Sequence, residues 1–215
     1  MKKIIAFIGV ALFAIAANAQ SSQRAKNYLT EVTNKINGYD NISINFSFTQ
    51  KNDKNTKQDF EGKGTLDIKK DLYNLSFMGI QKIYDGKKIY TISKEDEEVT
   101  VSKFDSKSPD GILPSQMLTF FNQGYSFQWD ILQNVNGRKI QYIKLIPTDK
   151  KSVIKEVFLG IDSSSKEIYN KIQVNKDGGK STLTVNSFKT NQTMSKNHFT
   201  FTQSLYPNYY INNID

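Results

Sequence analysis

One stretch near the start of the chain limits the possible folds more than any other feature. Within residues 41–50, Ile42, Ile44, Phe46 and Phe48 alternate with small polar residues. This period of two places four large apolar side chains on one face of a β-strand. A sheet that carries such a face must bury it, so the sheet either closes on itself or is covered by helices.

The same alternation continues, less regularly, along most of the chain. Two dipeptides, Asp85-Gly86 and Asn136-Gly137, lie between neighbouring apolar runs and are typical of two-residue β-hairpins. Many short strands joined by tight turns favour antiparallel pairing between neighbours. Further strands are predicted at 60–69, 72–77, 80–84, 87–93, 99–104, 125–133, 138–146, 153–161, 167–174, 181–188 and 198–202.

Two segments break the β pattern and predict helices. Residues 24–36 carry apolar side chains at helical spacing and are followed by Gly38, a residue type that commonly ends a helix. Pro114 suits an early position of a second helix that runs to about Asn122. These features predict one mainly β domain with a few helices: an incomplete antiparallel β-barrel of about eleven strands with a helical lid. Such a barrel encloses an apolar interior that suits a lipid chain.

The N-terminal segment has the organisation of a secretory signal peptide. Two lysines precede an unbroken run of apolar and small residues, 4–17, and the run ends in Ala17-Asn18-Ala19. The run is shorter than the roughly 20 apolar residues that a membrane-spanning helix needs. We therefore expect a signal peptide over residues 1–19, cleavage after Ala19, and a single mature domain over residues 20–215 in the periplasm.

The residue types present argue against an enzyme. The sequence contains no cysteine, which excludes a lipid-attachment site, disulfides and a cysteine nucleophile. His198 is the only histidine, and no nucleophile-elbow motif accompanies it. We expect no catalytic residues, no metal ion and no cofactor.

The net charge of +8 does not indicate a nucleic-acid-binding protein. Its basic residues are scattered along the chain, whereas a nucleic-acid interface would cluster them with stacking aromatic residues. A solvated basic surface without a nucleic-acid partner is the simpler interpretation.

Four segments carry short motifs whose order matches a known family. Residues 41–50 end in Phe-Thr-Gln, and residues 62–70 are similar to Gly-x-Gly-x-Leu-x-x-Lys-Arg-Pro. Residues 82–92 contain an Asp-Gly-Lys hairpin followed by tyrosine, and residues 197–202 are similar to a closing Phe-x-Phe-x-Pro. Together the chain resembles the outer-membrane lipoprotein carrier proteins, the LolA family, over nearly all of the mature sequence.

This resemblance implies a fold, a function and partners. The implied fold is an unclosed antiparallel barrel with a helical lid. The implied function is a monomeric periplasmic carrier that shields the acyl chains of lipoproteins and moves them from the inner to the outer membrane. Its partners would be acylated lipoproteins, an inner-membrane lipoprotein-releasing transporter and an outer-membrane acceptor. An envelope protein of the same fold that binds or senses lipids or glycolipids is the alternative.

The expected lipid-binding residues are the apolar side chains of the first strands and of the second predicted helix. A role for them as ordinary core residues remains the alternative, because sequence does not separate a cavity lining from a packed core. The expected lining residues are Ile44, Phe46, Phe48, Leu66, Ile68, Leu75, Phe77, Met117, Leu118, Phe120 and Phe121.

The family's lid-holding arginine is replaced by Lys70. Because its ammonium lacks the planar donor fork of a guanidinium, a weaker lid clamp is expected.

Overall fold

The computed structural model of the protein describes residues 2–51, 59–105 and 118–214, with side chains from residue 19 onward. Strands make up about half of the described residues, and one long helix, α1 (Lys2–Asn37), precedes them. Two short 3₁₀ helices are Phe120–Asn122 and Gln203–Leu205. The strands are β1 (Ile42–Lys51), β2 (Phe60–Lys69), β3 (Leu72–Phe77), β4 (Ile80–Tyr84), β5 (Lys88–Ser93), β6 (Glu98–Lys103), β7 (Tyr125–Val135), β8 (Arg138–Pro147), β9 (Ile154–Asp162), β10 (Ile168–Asn175), β11 (Lys180–Thr190) and β12 (Tyr210–Ile214).

All twelve strands of the described chain belong to one open sheet. Their order is β12-β6-β5-β4-β3-β2-β1-β11-β10-β9-β8-β7, and every neighbouring pair is antiparallel except β12 and β6. Strands β1 and β11 pair with each other and so join the first and second halves of the chain in one sheet, with Phe48 opposite Leu183. The predicted mainly β fold and incomplete antiparallel barrel are therefore confirmed.

Helix α1 ends where the sequence predicts but begins much earlier. At its end, the backbone N–H of Gly38 donates to the carbonyl oxygen of Asn34 at 3.1 Å. At its start it reaches back to Lys2, because residues 2–37 contain no proline and many good helix formers. Within the described residues, no helix combines the length and the apolar character needed to cross a bilayer.

The buried side of α1 packs on the sheet face that carries the inward residues of β1. Its contact with β7 is made by Trp129, whose backbone N–H donates to Ser21 Oγ at 3.0 Å. The ring of Tyr28 meets the Trp129 ring edge-on with centroids 5.3 Å apart, and the guanidinium carbon of Arg24 lies 3.9 Å from the Trp129 ring centroid. Aromatic and cation–π contacts of this kind add to the burial energy and fix the helix across the sheet.

The predicted strand at 198–202 is wrong. These residues form a turn followed by an irregular stretch, and the last strand is β12, which pairs in parallel with β6. The segment's polar groups instead bond to side chains of the sheet: His198 Nε2 lies 2.8 Å from Asp67 Oδ2, and the His198 carbonyl accepts from Asn74 Nδ2.

The tyrosine-rich C-terminal tail forms a second small core with the face of β4–β6 opposite α1. Phe201 stacks on Tyr90, with ring centroids 4.8 Å apart, and on Tyr206 at 5.5 Å. Beneath these rings lie the buried side chains of Ile83, Ile92, Val99 and Val101. The sheet is thus covered on both faces in this region, by the main core on one side and by the tail on the other.

Candidate functional site

An apolar cavity of about 480 Å³ lies on the face of the sheet that α1 covers. It crosses six adjacent strands, from β3 through β2, β1, β11 and β10 to β9, and Leu118 and Phe120 also border it. Its volume falls within the range of about 300–1,000 Å³ that is usual for small-molecule sites.

Most of the expected lining residues border this cavity. Ile68 and Phe121 do not: Ile68 is only 4% exposed and lies in the core, and Phe121 is fully buried. Met117 lies outside the described residues. A role for the lining residues in acyl binding stays a prediction. The expected residues that line the cavity are Ile44, Phe46, Phe48, Leu66, Leu75, Phe77, Leu118 and Phe120.

Two glycines of β2 allow aromatic rings to lie over the sheet beside the cavity. Gly62 and Gly64 face Phe48 and Phe46 across the β1–β2 ladder. A Cβ on Gly64 would come within 2.4 Å of Phe46 Cζ and 2.7 Å of the Ser76 carbonyl oxygen. The glycines therefore leave room above β2 that any side chain would fill.

The rings gathered there form an aromatic cluster at one end of the cavity. Phe46 and Phe77 have centroids 5.6 Å apart, and Phe60 lies 6.0 Å from Phe48 and 6.2 Å from Phe77. These are tilted and edge-on contacts at distances where aromatic pairs attract each other. Phe60 belongs to the cluster although sequence reasoning did not name it.

The other end of the cavity comes from strands that sequence reasoning did not assign to the site. The available signal was the alternation of Leu183 and Val185 along β11, which matches the alternation of β1. The register places Leu159, Lys171 and Leu183 side by side on β9, β10 and β11. The unexpected lining residues are Leu159, Ile168, Lys171, Leu183 and Val185.

Lys171 is the one charged residue that borders this cavity within the described chain. Its Nζ lies 4.4 Å from the ring centroid of Phe120, a cation–π contact. Burial lowers the pKa of Lys171, because an apolar environment disfavours the ammonium. Desolvation is thus the dominant electrostatic effect on this residue.

The single histidine lies away from the cavity. His198 and Asp67 pair on the opposite side of β2 from Leu66, and both side chains are partly exposed, at 30% and 24%. The pair connects the tail to the sheet. In the described part of the chain, no group of three or more His, Cys, Asp or Glu side chains is placed to hold a metal ion.

Lys70 lies in the two-residue turn between β2 and β3, where its side chain is exposed and its φ is +54°. Together with Leu118 and Thr119 it borders a second pocket of about 300 Å³. Lys70 is therefore close to the described end of the predicted lid, and its role as a clamp stays a prediction.

A substitution at Lys70 that respects the turn can test the clamp. Asparagine tolerates positive φ better than most residues, so Lys70→Asn should remove the ammonium with little backbone strain. If the ammonium holds the lid, release of a bound fluorescent fatty acid should become a few-fold faster in stopped-flow experiments, and Lys70→Arg should slow it. Equal release rates for the parent and both variants would remove Lys70 from the mechanism.

Residues 37–202 match the family of the outer membrane lipoprotein carrier protein LolA. No curated protein matches the sequence significantly.

A solved structure with a TM-score above 0.5 shares the fold at low sequence identity, and two further structures match with lower scores. An uncharacterized conserved protein from Thermus thermophilus has 8% identity and a TM-score of 0.59, with 86% of this chain and 98% of that chain covered. A LolA superfamily protein from Nitrosomonas europaea has 11% identity and a TM-score of 0.42, with coverages of 82% and 97%. The Pseudomonas aeruginosa MucA/MucB complex has 12% identity and a TM-score of 0.45, with coverages of 83% and 61%.

The family match spans most of the chain, from the end of α1 through strands β1 to β11. It includes both halves of the cavity and the glycine pair of β2. The chain belongs to the LolA family of outer membrane lipoprotein carrier proteins.

Proposed function

We propose that this protein is a periplasmic carrier that shields the acyl chains of lipoproteins in the cavity and moves them from the inner to the outer membrane. Export would use the N-terminal segment as a signal peptide cleaved after Ala19. An inner-membrane lipoprotein-releasing transporter would supply the cargo, and an outer-membrane acceptor would receive it. The observation that carries the proposal is the 480 Å³ apolar cavity across six strands.

The chemistry of the lining suits acyl chains. Burying one methylene is worth about 0.8 kcal/mol, so ten buried methylenes would contribute at most about 8 kcal/mol before the costs of association. Affinity of this origin depends on the acyl group and not on the protein attached to it. One carrier can therefore serve many lipoproteins.

Release requires that the cover of the cavity can move. Leu118 and Phe120 border the cavity opposite the sheet, and Phe120 begins a three-residue 3₁₀ helix. Their side chains make apolar contacts without a fixed hydrogen-bond geometry, so this cover can separate from the sheet at a modest cost.

The carrier role predicts what the protein holds in its own envelope. The parent protein, purified from its native envelope, should contain a co-purifying acylated protein that mass spectrometry identifies. A Leu75→Glu variant should lose this cargo at least tenfold, because a carboxylate in an apolar site is strongly disfavoured. Leu75 lies on β3, four strands from Lys171 in the sheet order, and is only half-buried, so the fold should survive.

A matched substitution outside the cavity provides the control. Leu205 is 72% exposed on the tail, and Leu205→Glu should carry as much cargo as the parent. Circular dichroism should show the same strand content in all three proteins. Co-purification of a free lipid or glycolipid without any acylated protein would contradict the carrier role and favour a lipid-binding or sensor protein of the same fold.

A further inference from the structure

Lys171 stands in the middle of an otherwise apolar row. Its partners across the two ladders are Leu159 on β9 and Leu183 on β11, and Leu183 is in turn opposite Phe48 on β1. Side chains in register on adjacent strands point to the same face, so Lys171 extends into the cavity with these three residues. All four side chains line the cavity.

Among the described residues, Lys171 contacts the aromatic ring of Phe120 but forms no salt bridge with a carboxylate. None of the salt bridges among the described residues involves Lys171, although Lys144, Lys166 and Arg138 on the same half of the sheet are each paired with a carboxylate. The contact with Phe120, 4.4 Å from Nζ to the ring centroid, offsets only part of the desolvation cost of an ammonium.

An unpaired cation in an apolar cavity lowers stability, and a leucine there would fill the row at no such cost. Departures of this kind from ordinary core composition are expected where a ligand completes the site. Among the described residues no anionic acceptor lies beside Lys171, and its Nζ has three donors with which to bind one.

We propose that Lys171 binds the anionic head of an acylated ligand, a carboxylate or a phosphate, while the acyl chain runs along the cavity toward the aromatic cluster of Phe46, Phe60 and Phe77. The inference rests on the proposed function in one respect, that the cavity accepts acyl chains. It adds a ligand class, anionic amphiphiles, and an orientation. The head lies at the β10 end beside Phe120, and the chain crosses β11, β1 and β2.

The length of the site agrees with this orientation. The cavity reaches from β9 to β3, and its part from Lys171 on β10 to β3 covers four strand spacings of about 4.8 Å each, or on the order of 19 Å along the sheet. The cation lies at one end of that path and the aromatic cluster at the other. A single-chain amphiphile with one charged end fits this arrangement better than a ligand with a central charge.

Pairs of ligands that differ only in charge test the proposal. The purified full-length mature protein would be titrated by competition against a fluorescent fatty acid, with hexadecanoate and its methyl ester as one pair. Lysophosphatidate and the monoacylglycerol with the same chain form the second pair, and all ligands stay below their micellar concentrations. The parent should bind the anionic member of at least one pair roughly tenfold more tightly, as expected for a charge-assisted hydrogen bond.

The variants separate the charge of Lys171 from its bulk. Lys171→Met should reduce the preference for the anion to about onefold and leave the affinity for the neutral ligand unchanged. Lys171→Arg should keep most of the preference. Lys189→Met, the same substitution at an exposed position of β11, should behave as the parent. If Lys171→Met loses the preference for the anion only in the carboxylate pair, fatty acids are the ligand class. If it loses this preference only in the phosphate pair, phospholipids are the ligand class.

Two results would overturn the proposal, and they differ. A folded Lys171→Met variant that keeps the parent's preference would remove Lys171 from head-group binding while the acyl cavity stands. Failure of the parent to bind either member of both pairs would overturn the acyl cavity itself, and the head-group role with it.

Discussion

Gly64→Val is expected to weaken acyl binding at least tenfold and to destabilise the protein. The new side chain would occupy the position of the Phe46 ring, since even a Cβ lies 2.4 Å from Phe46 Cζ. It would also press on the Ser76 carbonyl oxygen, a backbone atom of β3 that cannot rotate away. We expect at least a tenfold loss of affinity for a fluorescent fatty acid, and a free energy of unfolding lower by about 1–3 kcal/mol, as for other overpacked cores.

Introducing the same side chain, valine, at the neighbouring residue provides a control. Thr65 is exposed on the opposite face of β2, so Thr65→Val should leave both affinity and urea midpoint nearly unchanged. A Gly64→Val protein with normal strand content and the parent's affinity would show that acyl chains do not use the space beside Phe46.

Two adjacent phenylalanines should respond differently to the same truncation. Phe121 is fully buried, and Phe121→Ala is expected to lower the free energy of unfolding by about 3–5 kcal/mol, as for other buried phenylalanines. In a protein of this size that corresponds to a drop in Tm of roughly 6–20 °C. Phe120 is half-buried at the cavity, so Phe120→Ala should cost only about 1 kcal/mol.

Acyl binding should show the reverse order. Phe120→Ala removes a ring that borders the cavity and should weaken fatty-acid binding several-fold, whereas Phe121→Ala, measured well below its Tm, should bind nearly as the parent. Thermal unfolding and ligand titration of the same two preparations give both quantities. If Phe121→Ala lost binding and Phe120→Ala did not, the positions of the two rings relative to the cavity would be misassigned.

The strand series could be predicted because its local signals agree with the fold. Alternating apolar residues mark β1 to β11 to within about two residues, and Asn136-Gly137 forms the predicted hairpin with φ of +51° and +82°. Both periodicity and turn chemistry act over a few neighbouring residues. A single sequence therefore contains them in full.

The parts that could not be predicted depend on distant partners. Strand β12 pairs with β6, more than a hundred residues earlier, and the polar sequence Tyr210–Ile214 alternates too weakly to indicate it. The β9–β11 half of the cavity was missed because its apolar residues look like ordinary core until the register sets them opposite β1. Lys171 was missed because a lysine in a strand is usually solvent-facing.

Sequence alone could not show which individual apolar residues line the cavity. Ile68 and Leu66 lie two residues apart on the same face of β2, yet only Leu66 reaches the cavity. Nothing in the alternation distinguishes them, since the difference comes from how residues 118–121 and α1 cover the sheet. A cavity is a space left by packing, and packing is a property of the whole fold.

The open order of the sheet has a mechanical consequence. In a closed barrel, the number of strands and their stagger fix the diameter, and expansion would break backbone hydrogen bonds. Here the described strands β7 and β12 are the two edges of the sheet, and no ladder joins them. The sheet can therefore change its curvature while every strand pair stays intact. The volume of the interior then depends on the bending stiffness of the sheet and on side-chain contacts. Ligands of different width can therefore be enclosed without breaking backbone hydrogen bonds between strands.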